Sequence, residues 1–246
     1  MAGFYGKLPA KGDFLTRNLP RDFIDCWDEW LQAGMNASRQ ALGEAWLQTY
    51  LTSPLWRYVL PPGICGASAW AGVVMPSMDK VGRYFPMTVA VQLPEPVSPL
   101  MIAANGQSWF EAMETCLLDA LDDESLDLDT FDEQLQAVVV DQVPHGSVEI
   151  SGFVDQGIHL ALNDALDVSG TLLNVTLGSM DGVFDHCSVW WGQGSERVSP
   201  SLAVCRGLPE STRFAALLDG NWGTHGWSDR AAPVAGESPI ALELAD

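Results

Sequence analysis

Apolar side chains in the first fifty residues recur with the spacing of one buried helix face. Pro20 opens the first predicted helix, because proline is tolerated in a first helical turn. We expect a weak point at Gly34, followed by a second helix from about Ser38 to Leu51. The apolar stripes of these two helices are Phe23, Trp27, Trp30 and Leu31, then Leu42, Trp46, Leu47 and Tyr50.

Apolar runs of strand length then alternate with turn-forming residues. A first short strand is predicted at residues 4–9, and another at residues 56–60, which end at a Pro-Pro-Gly turn that cannot continue a ladder. Two further strands are predicted at residues 67–75 and 84–93. They are joined by residues 76–83, a stretch rich in turn formers that we call the connector.

Two patterns resemble capping boxes, in which a hydroxyl and a glutamate satisfy the free amides of a first helical turn. Ser108 and Glu111 predict a helix with an apolar stripe reaching Leu121, and Thr130 predicts a shorter helix to about Ala137. The opposite face of the first of these helices is acidic. Its acidic residues are Glu111, Glu114, Asp119, Asp122 and Asp123.

The C-terminal half gives weaker patterns. Strands are predicted near residues 147–153, 171–177, 188–191 and 202–206, without a register. Residues 209–218, between a proline and a glycine, are expected to form a helix. We predict one domain over residues 1–228 and a flexible tail over residues 229–246, which are rich in Ala, Pro, Gly and Glu.

The formal net charge is -20, and its distribution is uneven. From Tyr84 to Glu196 the chain carries 19 acidic residues and no lysine or arginine. Such a field repels phosphate backbones and anionic lipids, so nucleic-acid binding and membrane-surface roles are not expected. The alternative interpretation is that the charge only confers solubility. No apolar run approaches the ~20 residues of a membrane span and no secretory signal is apparent, so we expect a cytoplasmic protein without direct membrane insertion.

The five cysteines are Cys26, Cys65, Cys116, Cys187 and Cys205. Their number is odd, their spacing is wide and no C-x-x-C pair occurs, which fits neither a disulfide framework nor a zinc ribbon. We expect reduced, mostly buried thiols.

Motifs for catalysis or cofactor binding are absent from the sequence. The chain has no phosphate-binding loop, dinucleotide fingerprint or nucleophile elbow, and Gly192-Gln-Gly194 is better explained as a strand-end turn. Asp127, Asp129 and Glu133 lack the spacing and the glycine of a calcium loop. The four histidines do not form metal-ligand pairs. We therefore predict no catalytic residues, no cofactor and no metal, and a protein that is not an enzyme.

Several unusual strings occur in one order within residues 3–93: G-K-L-P, G-D-F, W-D-x-W-L, S-P-x-W-R and M-P-S-x-D-x-V-G-R-Y-F-P. In this order they resemble the TagF family of type VI secretion accessory proteins. A weaker similarity lies in residues 188–191 and 217–222. The chain departs from the family's common pattern at Lys80 and Met87, where arginine and leucine are usual, and both changes keep charge and bulk.

The resemblance implies a cytoplasmic α/β protein that represses type VI secretion after translation. We expect a mixed, largely antiparallel central sheet flanked by helices, as a three-layer α/β/α sandwich. The implied direct partner is a scaffold protein with a forkhead-associated domain. Some relatives are fused to a PP2C-type phosphatase, which makes the phosphatase of the same circuit a second candidate partner.

The family supplies no catalytic residues, so candidate partner-binding residues come from physical reasoning. In the connector region they are Asp79, Lys80, Arg83 and Tyr84, although Asp79 and Arg83 could instead pair only to fix a turn. On the acidic helix face they are Asp119, Asp122 and Asp123. Trp190 and Trp191 must point to opposite sheet faces, which leaves Trp191 as an interface candidate. Lys7 and Arg57 could be surface charges or members of buried ion pairs.

Two alternative functions belong to other classes. A hydrolase built around Asp79, Arg83, Asp185 and His186 would need a deep polar pocket that joins these residues. A structural accessory subunit of the secretion machine would co-purify stably with other components of that machine.

Overall fold

The computed structural model describes residues 1–94, 98–138 and 186–228. Seven strands form one sheet in the order β2-β1-β5-β4-β3-β6-β7. Every pairing of neighbouring strands is antiparallel. The strands are β1 Ala2–Gly6, β2 Leu15–Arg17, β3 Trp56–Leu60, β4 Trp70–Met75, β5 Met87–Gln92, β6 Cys187–Gly192 and β7 Ser201–Arg206.

Helices cover both faces of the sheet. The described helices are α1 Arg21–Leu42, α2 Trp46–Leu51, α3 Pro99–Asn105, α4 Gln107–Asp122, α5 Leu128–Ala137 and α6 Phe214–Asp219. Helices α1, α2 and α6 share one apolar core with the sheet, and α3, α4 and α5 share the core on the other face. The predicted α/β class and the three-layer sandwich are confirmed.

The central strands lie between the two cores, so both of their faces are apolar. All residues of β3 and β4 are buried. Tyr58 faces the core of α1, whereas Val59 faces the core of α4. Burial on both faces explains why these strands appear in the sequence as continuous apolar runs. The predicted strands at residues 67–75 and 84–93 were too long, since both begin three residues later than expected.

The expected weak point at Gly34 is wrong. Helix α1 runs through Gly34, where a Cβ would overlap the ring of Phe214 from α6. The glycine therefore permits close packing of two helices. The break comes at Gly43, whose φ of 54° starts a short 3₁₀ turn before α2.

Both predicted capping boxes are wrong in detail. Helix α4 begins after Gly106, so Ser108 lies inside its first turn. Asp127, and not Thr130, caps α5, because its carboxylate accepts the Thr130 N–H at 2.9 Å. The preceding helix α3, capped by the Ser98 hydroxyl, was not predicted. Strand β2 was also missed.

The prediction that all cysteines are thiols is wrong as well. Cys26 on α1 and Cys65 in the loop after β3 form a disulfide, although 39 positions separate them in the sequence. Helix α1 packs on the sheet beside this loop, a proximity that spacing alone does not reveal. The predicted strands near residues 147–153 and 171–177, and the tail of residues 229–246, lie outside the described residues, so the division into a domain and a tail stays a prediction.

Candidate functional site

The connector is organised around the carboxylate of Asp79, which is buried. It accepts hydrogen bonds from the backbone N–H groups of Val81 at 3.0 Å and Arg83 at 2.9 Å. Lys7 Nζ and Arg83 Nε also donate to it, at 2.9 and 2.6 Å. Burial by itself would raise the pKa of Asp79. The Arg83 N–H, the Lys7 ammonium, the Arg83 guanidinium and the Val81 N–H outweigh burial and hold this pKa well below its usual range.

The connector is fixed on the loop that follows β1. The Lys80 N–H donates to Lys11 O at 2.9 Å, and the Arg83 guanidinium donates to Gly12 O. Every backbone N–H from Asp79 to Arg83 has an acceptor within the protein. The connector therefore presents side chains to solvent, and it does not form an amide cradle for a bound anion.

The side chains of the connector differ in accessibility. Lys80 is exposed, and Arg83 keeps 58% of its side chain accessible. Tyr84 is half-buried, with its ring edge-on to Tyr50 at 6.1 Å. Asp79 is covered, so its contribution to binding would be to hold the loop in shape.

Two exposed apolar side chains beside these residues were missed by the sequence analysis. Val81 at the tip of the connector is 70% exposed, and Phe14 in the adjoining loop is 48% exposed. Phe14 stacks on Tyr5 and receives Lys7 Nζ over its ring at 4.7 Å. The available signal was one apolar residue within a polar, turn-forming segment in each case.

Lys7 and Arg57 are both buried, so neither is a surface charge. Both are members of buried ion pairs, Lys7 with Asp79 and Arg57 with Glu114. Arg57 Nε and Nη2 each lie 2.7 Å from one carboxylate oxygen of Glu114. The expectation that Glu114 belongs to an exposed acidic face is therefore wrong, because this side chain joins α4 to the sheet.

The acidic candidates lie at the C-terminal end of α4. Asp119, Asp122 and Asp123 are exposed, and the last helical turn contains no basic residue. Asp123 accepts the Ser125 N–H at 2.8 Å. Negative charge is unfavourable at a helix C-terminus, where the helix dipole favours cations. The position of these residues is therefore not explained by helix stability.

The connector and the acidic end of α4 lie at the same end of the sheet. Helix α5 is aligned along β1, because Gln136 bonds to the Ala2 backbone and Phe131 packs on Phe4 at 5.2 Å. The start of α5, and the end of α4 before it, therefore lie towards Gly6. Gly6 abuts Pro86, which lies three residues after the connector. We call the connector, the adjoining loop residues 11–14 and residues 119–127 at the end of α4 the charged end.

The two tryptophans of β6 point to opposite faces, as predicted. Trp190 is fully buried on the α1 side and donates its Nε1–H to Ser188 Oγ at 2.7 Å. Trp191 packs edge-on against Phe110 of α4 at 4.6 Å and is half-buried.

Of the residues of the hydrolase alternative, His186 lies far from Asp79 and Arg83. The register pairs Trp56 with Val74, so the connector, which follows β4, lies near the Trp56 end of β3. It also pairs Val59 with Val189, so His186 lies beyond the Leu60 end. A strand of five residues rises by roughly 13–17 Å. His186 therefore cannot share a pocket with Asp79 and Arg83, and Asp185 lies outside the described residues.

The other chemical candidates have structural roles in the described part of the chain. Asp127 caps α5, and Asp129 accepts Arg17 Nη1 at 2.7 Å. Within residues 1–94, 98–138 and 186–228, no three His, Cys, Asp or Glu side chains are grouped to hold a metal ion. None of the helices in those ranges is long and apolar enough to cross a membrane.

This chain is similar to a protein family and to a solved structure. Residues 3–138 match the family model described as TagF N-terminal domain, type VI secretion system-associated. The crystal structure of PA0076 from Pseudomonas aeruginosa PAO1 is 38% identical in sequence and superposes with a TM-score of 0.72. The alignment covers 97% of this chain and 100% of that one. A search of curated proteins gives no match.

Proposed function

Because the chain belongs to the TagF family of type VI secretion-associated proteins, we propose that it represses type VI secretion after translation. In this proposal it acts in the cytoplasm by stoichiometric binding to a scaffold protein with a forkhead-associated domain. The PP2C-type phosphatase of the same circuit is a second candidate partner.

The observation that carries the proposal is the structure of the connector. Its sequence is one of the strings shared with the family, and it forms a loop with every amide from Asp79 to Arg83 bonded within the protein. A loop fixed in this way loses little conformational entropy when it binds a partner. Lys80, Val81 and Arg83 project from it, which suits recognition of another protein surface.

The buried carboxylate of the connector is not arranged for proton transfer. Asp79 is fully occupied by donors, and its lowered pKa makes it a poor proton acceptor. This arrangement favours a binding role for the connector over an enzymatic one.

A genetic and a biochemical measurement test the proposal together. Deletion of the gene should increase release of secreted effectors, and purified protein should capture the purified scaffold. The matched variants are Lys80→Glu in the connector and Arg21→Glu on α1, where the side chain is 91% exposed. Capture should be weakened by the first and retained by the second. Unchanged release together with no capture by the wild-type chain would refute the function.

A further inference from the structure

The charged end consists of two halves with opposite charge. The basic half contains Lys11, Lys80 and Arg83, on the connector and on the loop to which it is bonded. The acidic half is formed by the end of α4 and the turn before α5. Its members are Asp119, Asp122, Asp123, Glu124 and Asp127, all of them exposed.

The two halves adjoin each other. The start of α5 lies towards Gly6, because Gln136 bonds to Ala2 and Phe131 packs on Phe4. The connector is bonded to the loop that follows Gly6, through the Lys80 N–H and Lys11 O. Both halves therefore lie at the same end of the sheet.

Most of these charges are not neutralised within the protein. Arg83 is paired with Asp79, but this carboxylate also receives Lys7, so the three-residue cluster keeps one positive charge. In the described ranges, the side chains of Lys11, Lys80, Asp119 and Asp122 form no salt bridge. Both halves therefore remain available to an external surface of opposite charge.

We propose that the charged end pairs two copies of this chain about a two-fold axis, with the basic half of each protomer against the acidic half of the other, so that self-pairing competes with the proposed scaffold for this surface. A two-fold interface requires a self-complementary surface, and adjoining halves of opposite charge provide one. Phe14 and Val81 supply apolar area beside the charges, which resembles the apolar centre and polar rim of protein interfaces.

This pairing should be weak and sensitive to salt. The net charge of -20 on each chain opposes association, and exposed ion pairs contribute little individually. Raising the salt from about 0.1 M to about 1 M shortens the Debye length from about 10 Å to about 3 Å and should dissociate the dimer.

Reciprocal charge reversal gives a sharp test. One variant carries Lys11→Glu and Lys80→Glu, and the other carries Asp119→Lys and Asp122→Lys. Each should be monomeric alone, whereas an equimolar mixture should form a heterodimer, because both contacts are then attractive again. Control pairs with the same charge change but elsewhere on the surface are Arg21→Glu with Arg206→Glu, and Glu29→Lys with Glu44→Lys.

Sedimentation velocity over a concentration series measures all of these proteins. We expect the wild-type chain and the controls to dimerise at about 0.1 M salt and to dissociate at about 1 M. A wild-type chain that stays monomeric throughout the series overturns the proposal. It is also overturned if the reversed variants dimerise like the wild type, or if their mixture fails to form a heterodimer while the wild type dimerises. Scaffold capture is measured in parallel. If the wild-type chain stays monomeric but captures the scaffold, and Lys80→Glu weakens this capture, the surface belongs to the scaffold interface and the dimer is overturned.

Discussion

The ion pair between Arg57 and Glu114 should make a large contribution to the stability of the fold. Arg57 lies in the central strand β3 with 5% of its side chain exposed, and Glu114 on α4 is 14% exposed. Two 2.7 Å hydrogen bonds join them in a bidentate arrangement. The change Glu114→Ala leaves the guanidinium buried against the Phe110 ring without its counter-charge. Removing one partner of a buried pair costs about 3–5 kcal/mol, and the slight exposure of Glu114 places our expectation near the lower value.

The paired replacement separates the value of the ion pair from the cost of an orphaned charge. The double variant Arg57→Met with Glu114→Leu should lose much less stability than Glu114→Ala, because it leaves no buried charge. Glu111→Ala on the exposed face of the same helix is the control and should change stability by less than about 0.5 kcal/mol. Urea unfolding followed by tryptophan fluorescence measures the midpoint, which should shift without a change in m-value. If Glu114→Ala lowers the free energy of unfolding by less than about 1 kcal/mol, Glu114 is not the buried counter-ion of Arg57.

The remaining predictions concern the connector, the helix packing and the acidic half of the charged end. The pKa of Asp79 is depressed, so its contribution to folding stability is complete above the ordinary carboxylate pKa and is lost as the pH falls below about 4. Asp79→Asn should therefore reduce the acid-induced fall in melting temperature, measured by thermal unfolding. Gly34→Ala should destabilise the protein by about 1–3 kcal/mol through overlap with Phe214, whereas Gly223→Ala, which meets no atom, should be nearly neutral in urea unfolding. Neutralising Asp119, Asp122 and Asp123 together should weaken scaffold binding at low salt, while the circular dichroism spectrum stays unchanged. If neither this variant nor raised salt changes the affinity for the scaffold, the acidic face confers only solubility.

Elements with a continuous local signal were predictable from the sequence. The stripe from Trp109 to Leu121 identified α4, and the apolar runs identified β3, β4 and β5, because burial on both faces leaves few polar residues in such strands. The family strings added the α/β class, which the sheet order and the two cores confirm.

Features that depend on distant contacts were not predictable. Gly34 looks like a helix breaker until Phe214 is known to pack on it. The partner of Arg57 lies 57 positions away, and the disulfide joins residues 39 positions apart. Capping failed for a different reason: several residues near each helix start could serve as the cap, and backbone conformation selects among them.

The candidate site was predictable only in part. The connector was identified as a charged turn between strands, and its Asp79 to Arg83 ion pair was foreseen as one interpretation. That this carboxylate also receives Lys7 depends on the docking of the β1–β2 loop. The meeting of the connector and the end of α4 at one end of the sheet follows from strand order, which the sequence did not reveal.

In our proposal, this chain acts by binding a scaffold protein with a forkhead-associated domain. The most direct measurement is calorimetric titration of purified scaffold into the wild-type chain and into Lys80→Glu, with Arg21→Glu as the control. We expect saturable binding with one scaffold per chain, weakened by Lys80→Glu and unaltered by Arg21→Glu. Absence of binding by the wild-type chain under the same conditions would contradict it.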